Sequence, residues 1–128
     1  MSYLVDTDWI INGLHGQSDA LSTLEEHRDD GLGVSIITLG EVYEGAYNNP
    51  DPSVHIASFQ EFLALFTVLP LTEDTMQHFA RLRALLRKQG NLIPDLDLLI
   101  AATALEHELV LLTRNRRHFE RVPDLHLQ

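Results

Sequence analysis

Short apolar segments alternate along this chain with longer stretches in which apolar residues recur at helical spacing. The short segments are rich in leucine and β-branched residues and are bounded by turn or capping residues, which is typical of buried strands. They cover residues 3–5, 34–37, 67–71 and 109–113, and residues 125–127 could add a last edge strand. The alternation predicts an α/β fold in which a parallel sheet is covered by helices on both faces.

Three of the helices have recognisable beginnings. Thr38 with Glu41 three residues later matches the capping-box pattern, which predicts a helix that starts at Thr38. Thr72, followed by two acidic residues, predicts a helix that ends at Gly90. A further helix opens at Pro94 and is apolar on nearly all sides, so we expect it to be the central buried helix.

The composition is that of an ordinary globular protein. The 128 residues fit one domain over residues 1–128, with 45% hydrophobic and 22% charged residues. No apolar run approaches the roughly 20 residues of a membrane span, and the first residues lack the features of a secretion signal. We therefore expect a cytoplasmic protein that does not enter a membrane. The absence of cysteine excludes disulfides and thiolate metal ligands.

The net charge of −10 limits how this chain could bind nucleic acid. Binding by backbone neutralisation alone requires a basic protein, so any contact with nucleic acid must be local or assisted by a metal. The basic residues form two groups, which are Arg81, Arg83, Arg87 and Lys88, and Arg114, Arg116, Arg117 and Arg121. Each group could equally be the solvated face of a helical segment. An acidic surface also suits a basic protein partner.

Three acidic residues stand where a strand meets a helix or where a helix begins. Each has a structural explanation: Asp6 as a helix N-cap, Glu41 as part of the capping box, and Asp97 as a first-turn acid. Together they predict a metal site, because functional groups gather at the carboxyl ends of parallel strands. Clustered carboxylates repel one another unless a cation compensates. Oxygen ligands favour Mg²⁺ or Mn²⁺, and no histidine pair has the spacing of a zinc site.

Four segments carry a resemblance to a known family. They are LVDTD at residues 4–8, ITLGE at 37–41, IPDLDLLIAA at 93–102 and LTRNRRHF at 112–119. In order and spacing they resemble the motifs of PIN-domain ribonucleases, and most closely the VapC toxins of type II toxin–antitoxin pairs. The resemblance implies a PIN-like three-layer α/β/α sandwich with a central parallel β-sheet. It also implies a Mg²⁺-dependent endoribonuclease that hydrolyses RNA with a metal-activated water.

The resemblance assigns roles to individual residues. Asp6, Glu41 and Asp97 take the places of the catalytic, metal-binding acids, and Asn115 takes the fourth metal-binding position. Asparagine departs there from the all-acid pattern, which leaves open whether a second metal ion binds. The implied supporting residues are Thr7, Asp8, Asp95 and Thr113. Asp95 could orient a water molecule at the metal or cap its helix.

The same resemblance implies partners. Arg114, Arg116 and Arg117 are candidate contacts to RNA phosphates, although they could also bind a protein partner or face solvent. A cognate VapB-type antitoxin is implied, which would block the site with a basic residue. A homodimer is implied as well, formed by the helices of residues 38–66, whose apolar faces could equally belong to the core.

Other functions are compatible with parts of the pattern. A catalytically weak PIN-like module that only binds RNA would share the motifs, although three intact acids favour an enzyme. A metal-dependent phosphatase of the haloacid dehalogenase type could begin with Asp6-Thr7-Asp8, but Ile10 stands where threonine or valine is expected. A receiver domain would need an acceptor aspartate after the central strand and a lysine after the last strand, and neither is present.

Overall fold

A four-stranded parallel sheet forms the centre of the computed structural model, which describes all 128 residues. The strands are β1 (Tyr3–Val5), β2 (Leu32–Ser35), β3 (Thr67–Leu69) and β4 (Val110–Leu112). They lie in the order β3-β2-β1-β4, and every neighbouring pair is parallel. The carboxyl ends of all four strands therefore meet at one edge of the sheet.

Seven helices connect and cover the strands. They are α1 (Thr7–Leu14), α2 (Ser18–His27), α3 (Ile36–Tyr47), α4 (Pro52–Phe62), α5 (Glu73–Lys88), α6 (Asp95–Glu106) and α7 (Arg116–Phe119). The predicted α/β class with a parallel sheet is confirmed. None of these helices combines the length and the apolar character that crossing a bilayer requires.

Two apolar cores lie on opposite faces of the sheet. Successive strand residues point to opposite faces, so Leu4 packs into one core and Val5 into the other. The first core is built against α5 and α6, and the second against α1 to α4. Helix α6 has the most buried positions, including Leu98 and Ile100, which confirms it as the central buried helix.

The junction between β2 and α3 differs from the prediction. The helix begins at Ile36, because the hydroxyl of Ser35 accepts a hydrogen bond from the backbone N–H of Ile37 at 3.0 Å. The β-branched pair at residues 36–37 was predicted as strand and instead forms the first helical turn. The prediction that Thr38 caps this helix is therefore wrong. Glu41 is therefore not part of a capping box, since the N-cap of this helix is Ser35.

The two outer strands of the sheet, β3 and β4, end the sheet in different ways. At the β4 edge, Leu111 bridges Leu127 in parallel, with Leu111 N–H donating to the carbonyl of His126 at 2.9 Å. The predicted last edge strand is thus present as a short pairing. At the other edge, β3 has three residues and is followed by Pro70.

The predicted start and end of α5 are both confirmed. Thr72 is the N-cap, and its hydroxyl accepts a hydrogen bond from the backbone N–H of Thr75 at 3.2 Å. The chain leaves the helix through Gly90, whose φ of 68° lies in the left-handed region that favours glycine. The short turn that follows leads into α6.

Burial of α6 can be tested with two leucines of the same helix. Leu98 is fully buried, so Leu98→Ala should lower the free energy of unfolding by about 2–5 kcal/mol. Leu96 is 47% exposed, so Leu96→Ala should change it by less than about 0.5 kcal/mol. Urea denaturation followed by circular dichroism measures both. Equal losses in the two variants would contradict this orientation of α6.

Candidate active site

Asp6 is fixed from two neighbouring strands at the carboxyl edge of the sheet. It follows β1 directly, acts as the N-cap of α1, and has only 5% of its surface exposed. Its Oδ1 accepts a hydrogen bond from the backbone N–H of Thr7 at 2.9 Å. Its Oδ2 accepts one from the hydroxyl of Thr113, just after β4, at 2.7 Å. Capping therefore accounts for one carboxylate oxygen, and the other is held by a separate contact.

The surroundings of Asp6 disfavour its negative charge. Burial raises the pKa of this carboxyl from its ordinary 3.8 to about 6, although the hydrogen bonds from Thr113 and Thr7 act to lower it. The charges of Asp8 and Asp97 raise the pKa further. No basic side chain forms an ion pair with Asp6. A buried carboxylate of this kind is costly unless a cation compensates it.

Thr7 connects the first acid to the second. Its hydroxyl donates to Oε1 of Glu41 at 2.6 Å and lies 3.0 Å from the hydroxyl of Thr38. Because Thr7 donates its one hydroxyl proton to Glu41, Thr38 must donate to Thr7. Thr38 is fully buried. Its hydrogen bond to Thr7 joins α1 to α3 in the interior beside Glu41. Thr38 was predicted as a cap and instead helps to hold the site.

A histidine that was not among the predicted site residues holds the third acid. Oδ2 of Asp97 lies 2.7 Å from Nδ1 of His118. The side-chain nitrogen of Asn115 lies 2.9 Å from the same Nδ1, and the backbone N–H of Asn115 donates to the hydroxyl of Thr113 at 2.9 Å. His118 stands three residues after Asn115, a spacing that puts two helical side chains on one side. This spacing is the sequence feature that could have indicated His118 as a site residue.

Two of the predicted supporting acids lie outside this network. Asp8 is exposed in the first turn of α1 and acts on Asp6 only through its charge. Asp95 is exposed, and its Oδ1 accepts a hydrogen bond from Nε of Arg83 on α5 at 3.0 Å. It does not cap α6, whose N-cap is Pro94 without a side-chain bond. The capping role predicted for Asp95 is wrong, because Asp95 is already the first residue of α6 and its carboxylate bonds Arg83 instead.

The three candidate arginines follow β4 at the same edge. The guanidinium of Arg114 lies 4.3 Å from the centre of the Trp9 ring and donates to the side chain of Gln17 at 3.1 Å. These contacts hold Arg114 against α1. Arg116 and Arg117 are exposed and have no acidic partner.

The chemistry of the donor set fits a hard divalent cation. Three carboxylates and an amide supply oxygen ligands, and the buried charge of Asp6 has hydrogen-bond donors but no cationic partner. The acids do not form a closed cage in this structure, since no three His, Cys, Asp or Glu side chains are placed around one point. Hydroxyls and an imidazole hold them separately. Binding a metal therefore requires the partly exposed side chains of Glu41 and Asp97 to turn.

Comparison with known proteins identifies the family. The family model described as the PIN domain matches residues 3–125. The chain is 34% identical over 122 residues to the ribonuclease VapC2 of Haemophilus influenzae, a match that covers 95% of this chain and 92% of that protein. The chain therefore belongs to the PIN-domain family and, within it, to the VapC ribonucleases. The family predicted from the four sequence motifs is confirmed.

Further relatives and solved structures agree with this assignment. The tRNA(fMet)-specific endonuclease VapC of Salmonella typhimurium is 26% identical over 100% of this chain and 97% of its own. The structure of DNA-bound VapBC from Salmonella typhimurium matches with a TM-score of 0.93 at 26% identity, over 100% of this chain and 97% of that chain. VapBC-1 from nontypeable Haemophilus influenzae matches with a TM-score of 0.89 at 29% identity, over the same shares. The predicted PIN-like sandwich is confirmed.

The raised pKa of Asp6 has a consequence for stability. Between pH 3.8 and about 6 the folded chain binds a proton at Asp6 that the unfolded chain releases. Stability therefore falls as the pH rises through this window and stays low above it. Because a tenfold change in proton affinity corresponds to roughly 1.4 kcal/mol, the ionised carboxylate costs up to about 3 kcal/mol at neutral pH.

Asp6→Asn should therefore stabilise the metal-free protein by about 1–3 kcal/mol at pH 7.5, and the gain should vanish near pH 4. Asparagine can keep both contacts, since its amide can donate to the hydroxyl of Thr113. Urea denaturation at the two pH values in chelator measures the effect. Asp8→Asn, an exposed control, should give a much smaller gain. A loss of stability in Asp6→Asn at pH 7.5 would contradict the assignment.

Proposed function

We propose that this chain is a divalent-metal-dependent endoribonuclease and the toxin of a VapBC-type pair. The observation that carries the proposal is the buried carboxylate of Asp6, which has no cationic partner and lies at the sheet edge where α3 and α6 also begin. The names of the relatives supply the class of substrate, since they include ribonucleases and a tRNA-specific endonuclease.

Asp6, Glu41 and Asp97 would hold the metal, with Asn115 as a neutral fourth ligand. When bound, Mg²⁺ or Mn²⁺ supplies Lewis-acid activation of water and neutralises charge on the phosphate. Thr113 and Thr7 restrict the rotation of the Asp6 carboxylate. Glu41, which is partly exposed and held by Thr7 through one oxygen, has its second oxygen free to take the proton of the attacking water. In-line attack at phosphorus would leave a 5′-phosphate and a 3′-hydroxyl.

Two aspartates two residues apart on α6 provide a direct test. Asp97→Asn should lower the rate of RNA cleavage about 100-fold or more, because a lost metal ligand removes several kcal/mol of transition-state stabilisation. Asp95→Asn should retain activity within about threefold, since Asp95 pairs with Arg83 outside the site. Gel analysis of a structured RNA panel that includes initiator tRNA measures both rates.

The same assay tests the requirement for metal. A chelator should stop cleavage by the parent protein, and added Mg²⁺ or Mn²⁺ should restore it. Circular dichroism of each variant ensures that the fold is intact. Undiminished cleavage by Asp97→Asn, or full activity in chelator, would refute a metal-dependent mechanism. A folded parent that binds RNA without cutting it would support the RNA-binding alternative.

Arg116 and Arg117 are proposed to contact RNA phosphates. Both are exposed, neither forms an ion pair, and both lie on α7 beside the Asp97–His118 contact. Arg114 is less available, because it is already stacked on Trp9. The overall charge of −10 makes such a local basic surface the place where an RNA backbone can approach.

Replacing Arg116 and Arg117 by glutamine should weaken RNA binding and reduce its dependence on salt. Each lost contact to single-stranded RNA should lower the slope of log K against log salt by about 0.7. Fluorescence anisotropy with the Asp97→Asn protein as the parent avoids cleavage during the measurement. Arg28→Gln is the control and should leave the slope unchanged, because Arg28 lies just before β2, at the amino ends of the strands. An unchanged slope in the double variant would place the RNA elsewhere.

A VapB-type antitoxin and a second copy of the chain are the proposed protein partners. The two matched structures are VapBC complexes, and a basic residue of an antitoxin would neutralise Asp6 and its neighbours. The helices of residues 38–66 bury Val42 and Phe59 in the core but leave Tyr47 and Val54 exposed by 68% and 58%. These exposed side chains are available to a second copy.

Light scattering during size-exclusion chromatography should give twice the chain mass of 14.5 kDa for the isolated protein. Co-expression with a candidate VapB-type antitoxin should give a larger complex that no longer cleaves RNA. A monomer at micromolar concentration would argue against the homodimer. An active complex would argue against inhibition at this site.

A further inference from the structure

Two polar groups converge on one nitrogen atom beside the proposed metal site. Nδ1 of His118 lies 2.7 Å from Oδ2 of Asp97 and 2.9 Å from the side-chain amide of Asn115. The imidazole keeps 34% of its side chain exposed and the Asp97 carboxylate 18%, so water and small ions can reach both. The contact joins α6 to α7, through two residues that are 21 positions apart along the chain.

With the Asn115 amide nitrogen toward Nδ1, the two neighbours require opposite protonation states of that nitrogen. If Nδ1 carries hydrogen, it donates to Asp97 and opposes the N–H of the Asn115 amide. If Nδ1 carries none, it accepts from Asn115 and opposes the lone pairs of the carboxylate. Turning the amide by 180° places its oxygen next to Nδ1, so that the carboxylate, the amide oxygen and an unprotonated Nδ1 can each offer a lone pair to a cation.

The observed distances are close to those within a metal coordination sphere. Two adjacent ligands of an octahedral ion, each at about 2.1 Å, lie about 3 Å apart. The pairs Asp97–His118 and Asn115–His118 need to separate by only a few tenths of an ångström to reach that spacing. Hydrogen bonds link this group of side chains to Asp6. The hydroxyl of Thr113 donates to Asp6 and accepts from the backbone N–H of Asn115.

We propose that His118 binds the metal ion directly through Nδ1. This inference rests on the proposed function, since it concerns the same metal site. The ligand set is then mixed nitrogen and oxygen, in place of the oxygen-only set predicted from the acids. Mg²⁺ takes oxygen ligands, whereas an imidazole nitrogen favours transition metals. The site therefore prefers Mn²⁺ over Mg²⁺.

Two measurements on the full chain test this, and neither depends on catalysis. Electron spin echo envelope modulation of the Mn²⁺-loaded protein should show coupling to an imidazole nitrogen. Calorimetric titration should show that the ratio of Mn²⁺ to Mg²⁺ affinity falls about tenfold or more in His118→Asp, which replaces nitrogen by oxygen. His118→Asn, which can still hydrogen-bond Asp97, should lose the nitrogen coupling. His107→Asn, at the opposite end of α6, should retain it.

The possible outcomes separate the two proposals. Mn²⁺ binding without nitrogen coupling, together with an unchanged affinity ratio in His118→Asp, would overturn the role of His118 and leave the carboxylate site standing. Coupling that persists in His118→Asn would place the nitrogen on another histidine and would also overturn it. Failure of the parent to bind either ion would overturn this inference and the proposed metal dependence together. If a variant does not fold, the parent spectrum still decides whether nitrogen is a ligand.

Discussion

The site depends on holding the carboxylate of Asp6 in a place from which water is largely excluded. One of its oxygens accepts a hydrogen bond from the backbone N–H of Thr7 at the start of α1. The other accepts one from the hydroxyl of Thr113, just after β4. These contacts lower the cost of the charge without removing it, since the pKa remains raised to about 6. A protein selected for stability alone would place an asparagine there, so the residual cost is an argument for function.

The parallel sheet makes this arrangement possible. Because all four strands point the same way, α1, α3 and the loop after β4 start at one edge and supply Thr7, Thr38 and Thr113. Helix α6 contributes differently: its apolar body must lie in the core, and this fixes the depth of Asp97 in its first turn. The rigid apolar layers thus determine how closely the acids approach, and hydroxyls and an imidazole determine their orientation.

Much of this was predictable from local patterns. The strands, the central helix and the three acids followed from apolar periodicity and from acids at strand ends, and the four motifs gave the family. The β2–α3 boundary was not, because two β-branched residues favour strand while the hydroxyl of Ser35 selects helix. The partners of Asp95 and Asp97 could not be assigned either, although the spacing of Asn115 and His118 could have indicated that the histidine lies beside the site. Arg83 and His118 are distant in sequence, and only the packing of α5 and α7 against α6 brings them close.

The two outer strands of the sheet, β3 and β4, limit how copies of this chain can assemble. Residues 126–128 already occupy the hydrogen-bonding groups along β4, and β3 is too short to template a further strand before Pro70 removes a donor. The short β3 and the single Leu111–Leu127 bridge therefore leave another molecule little regular strand to pair with at either side. Helix surfaces are the larger exposed areas, and a symmetric contact between them forms a closed complex of definite size. For the toxin–antitoxin pair proposed above, closed complexes would let the two proteins combine in a fixed ratio, which open-ended aggregates would not.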